Sequence, residues 1–247
     1  MEKIAAGKTA SIYRISDTQV LKLYEEKVSQ THLERERAAM TLAHAAGLPA
    51  VLPGELIEHN GRLGFTMPLV QGLNGMERIY GGADIEEEAR LLARLQAQVH
   101  QTDGTGLLST RQRLTWILED LDISPELRAH LLAVLNTLPD GTALLHGDFH
   151  PGNLSFTETG PVILDWPDAT QGAPVFDVAR CLVLFGWGIV TDPIRQNFTQ
   201  TYLDEYQRVS TTSLDRLDDA LLICRAARLN EGAEENPVAL RSLIESR

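Results

Sequence analysis

Cysteine is nearly absent: Cys181 and Cys224 are the only two in 247 residues, which excludes a disulfide-stapled scaffold. Positive charge is scarce as well. Lys and Arg number 22 against 34 Asp and Glu, a net charge of -12, and so acidic a chain is unsuited to non-specific binding of a nucleic-acid backbone. Long apolar runs are missing too; the longest, residues 178–190, is interrupted by Arg180, is too short to span a bilayer and reads as a buried helix. The first residues, Met1-Glu2-Lys3-Ile4, carry no apolar stretch of the kind that directs secretion. There is no internal repeat and no low-complexity segment. These absences set the expectation of a cytoplasmic protein with no nucleic-acid and no membrane partner.

What is present is ordinary in bulk, 43% hydrophobic and 23% charged, enough for one large domain or two small lobes. The informative stretch is Leu144-Leu145-His146-Gly147-Asp148-Phe149-His150-Pro151-Gly152-Asn153, an apolar strand that turns polar and ends in Pro-Gly. Residues 154–156 and the turn Thr157-Glu158-Thr159-Gly160 predict a hairpin leading to a second apolar strand, Val162-Ile163-Leu164-Asp165-Trp166. Such a hairpin returns Asp165 to the neighbourhood of Asp148 and Asn153. Two carboxylates and a carboxamide at one end of a small sheet suit phosphoryl transfer, which needs positioning, magnesium and a carboxylate to orient the attacking hydroxyl. Asn153 and Asp165 are hard oxygen donors of the kind magnesium takes from protein. Asp148 is then the catalytic carboxylate.

Asn153 follows Asp148 by five positions, the spacing between the catalytic Asp and the metal-binding Asn in protein kinases. The run H-G-D-F-H-P-G-N, followed by I-L-D-W, resembles the aminoglycoside phosphotransferase and choline kinase family more closely still. That resemblance implies an α+β, protein-kinase-like two-lobe fold. Residues 1–70 would form a small antiparallel-sheet nucleotide-binding lobe and residues 71–247 a mostly helical catalytic and acceptor-binding lobe. It implies ATP, with GTP also open, together with Mg2+ and a small-molecule hydroxyl acceptor. In the first lobe it implies that Lys22, alone in the apolar strand Val20-Leu21-Lys22-Leu23-Tyr24, binds phosphate. Its expected partner is Glu36, which shares a helical face with Leu33, Met40 and Ala43, whereas Thr31-x-x-Glu34 reads as a capping box. The turn that holds Gly7 and Ser11 covers the phosphates on the same reading, although it lacks both the Walker spacing and the G-x-G-x-x-G of protein kinases. Backbone groups near Met67 and Leu69 are the expected adenine contacts, with Pro68 excluded as a donor. His150 stands where it either approaches the transferred group or packs the loop. His146 braces the loop, and Trp166 packs.

Residues 51–58 and 62–69 read as strands joined by Asn60-Gly61, and the Gly- and Asn-rich passage to Gly82 as a hinge. Helices follow, capped by Asp84 and by Ser124-Pro125, with one more near 110–121. His100 and His130 are read as surface or helix-end residues. Asp177 is read as an N-cap that also ties down the loop, and Asp168 as a contact to magnesium or acceptor. Helices near 193–208, 213–230 and 237–246 complete the chain. Asp204, Glu205, Glu231, Glu234 and Glu235 are the acids available to a cationic acceptor, aminoglycoside-like or choline-like, with Trp187 as a possible cation–π wall. Two other readings stay open: a nucleotide-binding regulatory module on the same fold, and a metal-dependent hydrolase using His146, Asp148 and His150 on one strand face.

Overall fold

The computed structural model describes residues 1–7, 9–186, 192–231, 241–242 and 244. Lys8, Trp187, Glu234, Glu235 and most of the helix expected at 237–246 lie outside the described residues.

Strands β1 (Glu2–Ala6), β2 (Ala10–Arg14), β3 (Gln19–Tyr24), β4 (Leu56–His59) and β5 (Arg62–Pro68) form an antiparallel sheet in the order β1-β2-β3-β5-β4. Strand β3 is central and buried from Val20 onward, as expected for a strand that is apolar on both faces. Helix α1 (Gln30–Ala45) buries Leu33, Glu36, Ala39, Met40 and Ala43, one helical stripe. Its cap is Ser29, whose hydroxyl accepts from the His32 N–H, and not the expected Thr31 box; Glu34 instead accepts from the Gln30 amide. The strand expected from residue 51 begins only at Leu56. Pro53 has no N–H to place in a ladder, and the segment is tied instead at Gly54, whose carbonyl accepts from Arg37 Nε and Nη2 and whose N–H donates to Thr66 O at 2.7 Å. Asn60 and Gly61 take φ of 52° and 75°, as a tight primed hairpin turn requires.

The supposed hinge is structured. Strand β6 (Leu73–Asn74) leads into helix α2 (Gly75–Tyr80), closed by a capping box between Asn74 and Glu77. Helices α3 (Ile85–His100), α4 (Thr110–Asp120) and α5 (Pro125–Thr137) follow, with Asp84 and Ser124 capping α3 and α5 through their side chains. Strands β7 (Ala143–Leu145), β8 (Leu154–Thr157), β9 (Gly160–Ile163) and β10 (Thr170–Gly172) make two small sheets, β10-β7 and β6-β8-β9. Helices α6 (Pro174–Leu184), α7 (Pro193–Val209) and α8 (Leu217–Leu229) finish the described fold. Helix α6 is capped at Ala173 and opens on Pro174, so Asp177 is inside its first turn and is not its N-cap. Helix α8 starts four residues later than expected, at Leu217.

The helical part is built on Leu92, Leu118, Leu131, Leu135, Leu144, Val178 and Tyr202, all fully buried. It meets the sheet part at β9, where Ile163 N donates to Pro49 O at 2.6 Å. The β8–β9 hairpin is thus fixed against both parts. Among the described residues no helix is long and apolar enough to cross a membrane.

Candidate active site

Lys22 lies at the centre of the cleft between the parts. Its Nζ donates to Glu36 Oε1 at 2.6 Å and to Asp165 Oδ1 at 2.8 Å. Burial works against its charge, but Glu36 and then Asp165 outweigh it, so the lysine titrates above its ordinary value and stays protonated. Glu36 is 1% exposed, and its second oxygen accepts from the Tyr24 hydroxyl. Tyr24 follows Lys22 by two positions on β3 and so shares its face, which is the sequence signal for this contact.

Strand β7 delivers the second group. His146 is wholly buried between the rings of Phe149 and Trp166. Its Nε2 is 3.0 Å from Leu164 O and its Nδ1 accepts from Asp148 N at 3.3 Å, so both nitrogens brace the loop. Gly147 has φ of 81°, and a Cβ there would overlap the Asp168 carbonyl. Asp177 secures the same turn, its Oδ2 accepting from His146 N at 3.0 Å and its Oδ1 from Gly147 N at 2.7 Å. His100, read as a surface or helix-end residue, does end α3 but is buried, with Nε2 3.0 Å from Asp177 Oδ2 and Nδ1 2.6 Å from the Tyr206 hydroxyl. Its sequence neighbourhood, a helix end, concealed this because the partners come from α6 and α7. His130 is exposed as expected.

Asp148 follows at the mouth of the cleft. Asn153 Nδ2 donates to its carbonyl at 2.8 Å and to Oδ2 at 3.2 Å, which leaves the Asn153 carbonyl oxygen as that side chain's acceptor. His150 Nε2 is 3.5 Å from Asp148 Oδ2, and Arg180 Nη2 is 3.9 Å from Oδ1. Burial raises the Asp148 pKa, but the His150 contact and then the Arg180 charge outweigh it and hold the carboxyl well below the usual range. His150 also accepts from Gly152 N at 3.1 Å, so it packs its own loop as well as facing Asp148. Asp165 arrives through Leu164 N, which donates to Asn153 O at 2.8 Å. It takes φ of 63°, a left-handed conformation that a non-glycine residue holds only when its surroundings impose it.

Arg180 bridges Asp148 and the rear of the site. Its Nε donates to Gly147 O at 3.2 Å and its Nη2 to Glu231 Oε2 at 2.9 Å, whereas Nη1 is buried with no hydrogen-bond partner among the described residues. Arg180 went unrecognised in the sequence, although it is one helical turn from Asp177. Asp168 is held by Arg113, which donates to its carbonyl at 2.7 Å and to its carboxylate. Behind the loop an open pocket lies between α4, α6 and α8, and its walls include Arg113, Gly147, Arg180 and Glu231.

In the β1–β2 turn, Gly7 N donates to Ala10 O at 2.8 Å, and Ser11 is buried. Met67 and Leu69 are half-buried at the end of β5. The Leu69 N–H is held by Thr18 O at 2.8 Å. The residues of the alternative metal site are not assembled. His146 has both nitrogens engaged, and among the described residues no three His, Cys, Asp or Glu side chains are grouped to hold a metal ion.

A lysine–glutamate pair from sheet and helix thus faces an Asp-x-x-x-x-Asn loop and a following Asp across one cleft. The sequence profile of the phosphotransferase enzyme family matches residues 1–217. The chain belongs to that family. No curated protein sequence matches it significantly. Among solved structures it is similar to a thermostable variant of aminoglycoside phosphotransferase APH(4)-Ia in ternary complex with ADP and hygromycin B, at 13% identity and a TM-score of 0.69, covering 99% of this chain and 92% of that one. It is similar to choline kinase LicA from Streptococcus pneumoniae, at 12% identity and a TM-score of 0.66 over 100% and 93% of the two chains. It also resembles macrolide 2'-phosphotransferase MphH from Brachybacterium faecium, at 20% identity and a TM-score of 0.56 over 100% and 91%. At these identities the likeness is one of fold, and the phosphotransferase has the protein-kinase-like arrangement of an antiparallel N-terminal sheet and a helical C-terminal part.

Proposed function

We infer that this phosphotransferase moves the γ-phosphoryl group of ATP or GTP to a hydroxyl of a small molecule. The observation that carries the reading is the chain of contacts Glu36–Lys22–Asp165, which joins the sheet part to the segment that follows the braced loop of Asp148 and Asn153. The sheet part, residues 1–70, is proposed as the nucleotide lobe, and residues 71–247 as the lobe that holds the acceptor.

In this mechanism Lys22, kept charged and aimed by Glu36, steadies the phosphates, and the Gly7–Ser11 turn covers them. The Met67 backbone and the Leu69 carbonyl are the remaining candidates for the adenine. Asp148 accepts the acceptor's hydroxyl proton as the oxygen forms its bond to the γ-phosphorus. The bond from that phosphorus to the bridging oxygen breaks, and its electron pair leaves with the nucleoside diphosphate. A carboxylate with so low a pKa is a weak base, which suits a loose transition state in which the hydroxyl loses its proton late. His150, within reach of Asp148, orients that carboxylate. The Asn153 carbonyl oxygen and the Asp165 carboxylate fit magnesium, which takes one or two hard oxygen ligands from protein and the rest from phosphate and water. When bound, that ion neutralises charge on the phosphate oxygens. Asp165 turns its half-exposed carboxylate towards the cleft, where Lys22 meets it.

The regulatory-module alternative has no observation in its favour, since Asp148 and Asn153 have no evident use without chemistry. Two buried, unpaired cysteines fit a reducing cytoplasm. The test is Asp148→Asn. Turnover, followed as nucleoside diphosphate release, should fall by roughly 10²–10⁴-fold, while stabilisation by magnesium and nucleotide persists. Full turnover in that variant would overturn the mechanism.

A further inference from the structure

We propose that Tyr24 is a positioning residue of the nucleotide site, whose hydroxyl holds Glu36 so that Glu36 in turn holds Lys22 ready for phosphate; this rests on the phosphotransferase reading above. Tyr24 closes β3 two positions after Lys22 and is buried. Its hydroxyl donates to Glu36 Oε2, while Lys22 Nζ donates to Oε1 at 2.6 Å. Its ring lies beneath the same ammonium, with Nζ 5.6 Å from the centroid, within the range of a cation–π contact. One aromatic side chain therefore touches both members of the pair. The ring is itself fixed. Phe65 packs on it at 6.1 Å between centroids, the His32 ring meets it edge-on at 6.3 Å, and the Tyr24 carbonyl accepts from Arg62 Nε at 2.7 Å.

Glu36 depends on that hydroxyl for its orientation. The last torsion of a glutamate is broad and poorly specified by its own rotamers, so a carboxylate gripped at one oxygen can still turn. A donor on the other oxygen stops the turn and satisfies a charged atom that the interior would otherwise leave short of a partner. The same ammonium is also claimed by Asp165 Oδ1, 2.8 Å away and on the segment that follows the loop of the helical part. A Glu36 free to turn would yield Lys22 to Asp165. Held on both oxygens, Glu36 keeps the ammonium at the sheet, where the phosphates are proposed to bind. The Trp166 backbone N–H also favours the Glu36 charge, so loss of the hydroxyl should weaken the arrangement and not abolish it.

The experiment is titration calorimetry on the full chain with ATP and GTP in magnesium, and with adenosine and guanosine, which carry no phosphate for Lys22 to meet. Tyr24→Phe keeps the ring and removes only the hydroxyl. The expected result is a triphosphate dissociation constant about tenfold higher in the variant, with nucleoside binding unchanged to within about twofold. Glu36→Met should weaken triphosphate binding at least as much. The double variant should then be no more than about twofold weaker than Glu36→Met alone, because the hydroxyl has lost the group it acts through. Triphosphate binding within about twofold of wild type in Tyr24→Phe would overturn the proposal, as would additive losses in the double variant. Equal losses for nucleoside and triphosphate, or a Tyr24→Phe protein that no longer unfolds cooperatively in urea, would make the hydroxyl a support of the fold alone and overturn it too. Wild-type protein that binds neither triphosphate in magnesium would defeat the proposed function and this role with it. Wild-type binding that survives Tyr24→Phe defeats this role and leaves the function standing.

Discussion

Asp177 takes four donors on two oxygens while wholly buried, and its charge is what the loop in front of it depends on. Burial pushes its pKa up, but His100 and the other donors outweigh that and bring it down to about 2 from an ordinary 3.8. A carboxylate with a depressed folded pKa stabilises the fold above its unfolded pKa. That stability is lost as pH falls from about 4 through about 2, since the unfolded chain takes up the proton first. The loss should be about 2 kcal/mol, read from urea midpoints across that window. Asp177→Asn should flatten this part of the profile and destabilise the neutral protein by roughly 3 kcal/mol, because His100 and one backbone N–H lose a charged partner. An unchanged acid profile in the variant would remove Asp177 from this role. The resemblance implied that Asp177 ties down the loop, as it does, whereas the N-cap reading fails; its partners are 31, 77 and 81 positions away in sequence.

Helix α1 carries Glu36 to Lys22, so what fixes the start of α1 bears on the site. The sequence pattern Thr31-x-x-Glu34 predicts a capping box at Thr31. The fold selects Ser29, which places Leu33, Glu36 and Met40 inward together. Ser29→Ala should therefore cost about 1 kcal/mol in thermal or urea unfolding, and Thr31→Ala only a few tenths. The reverse ranking would restore the Thr31 cap. Elements with strong periodicity or punctuation, such as α3, α5 and the β8–β9 hairpin, were legible nearly to their ends. Those that failed are short and depend on distant partners. Strand β6, only two residues long, exists because β8 lies beside it.

At the scale of the molecule, the contacts between the sheet and helical parts include the Lys22–Asp165 pair and the Pro49–Ile163 bond. A ligand that bridges the cleft should therefore stabilise the whole chain. Nucleotide with magnesium at about a hundred times its dissociation constant is expected to add roughly 2.7 kcal/mol, several degrees in the unfolding midpoint. Chelator should abolish the shift, and so should Lys22→Met. A full shift in that variant would mean that the nucleotide is held elsewhere.

The sequence by itself determined the family, the α+β class, and the loop and hairpin that carry Asp148, Asn153 and Asp165. These are contiguous or nearly so, and their spacing encodes their chemistry. It also singled out Lys22 and Glu36, because strand and helix periods reveal which side faces inward. Only the tertiary structure decided what those groups touch. It buried His100 against Asp177, set Tyr24 on Glu36, took the Leu69 N–H for Thr18, and paired Asp168 and Glu231 with Arg113 and Arg180. Charge composition counts acids without their partners, whereas an ion pair is a matter of a few ångströms between residues that the chain keeps far apart.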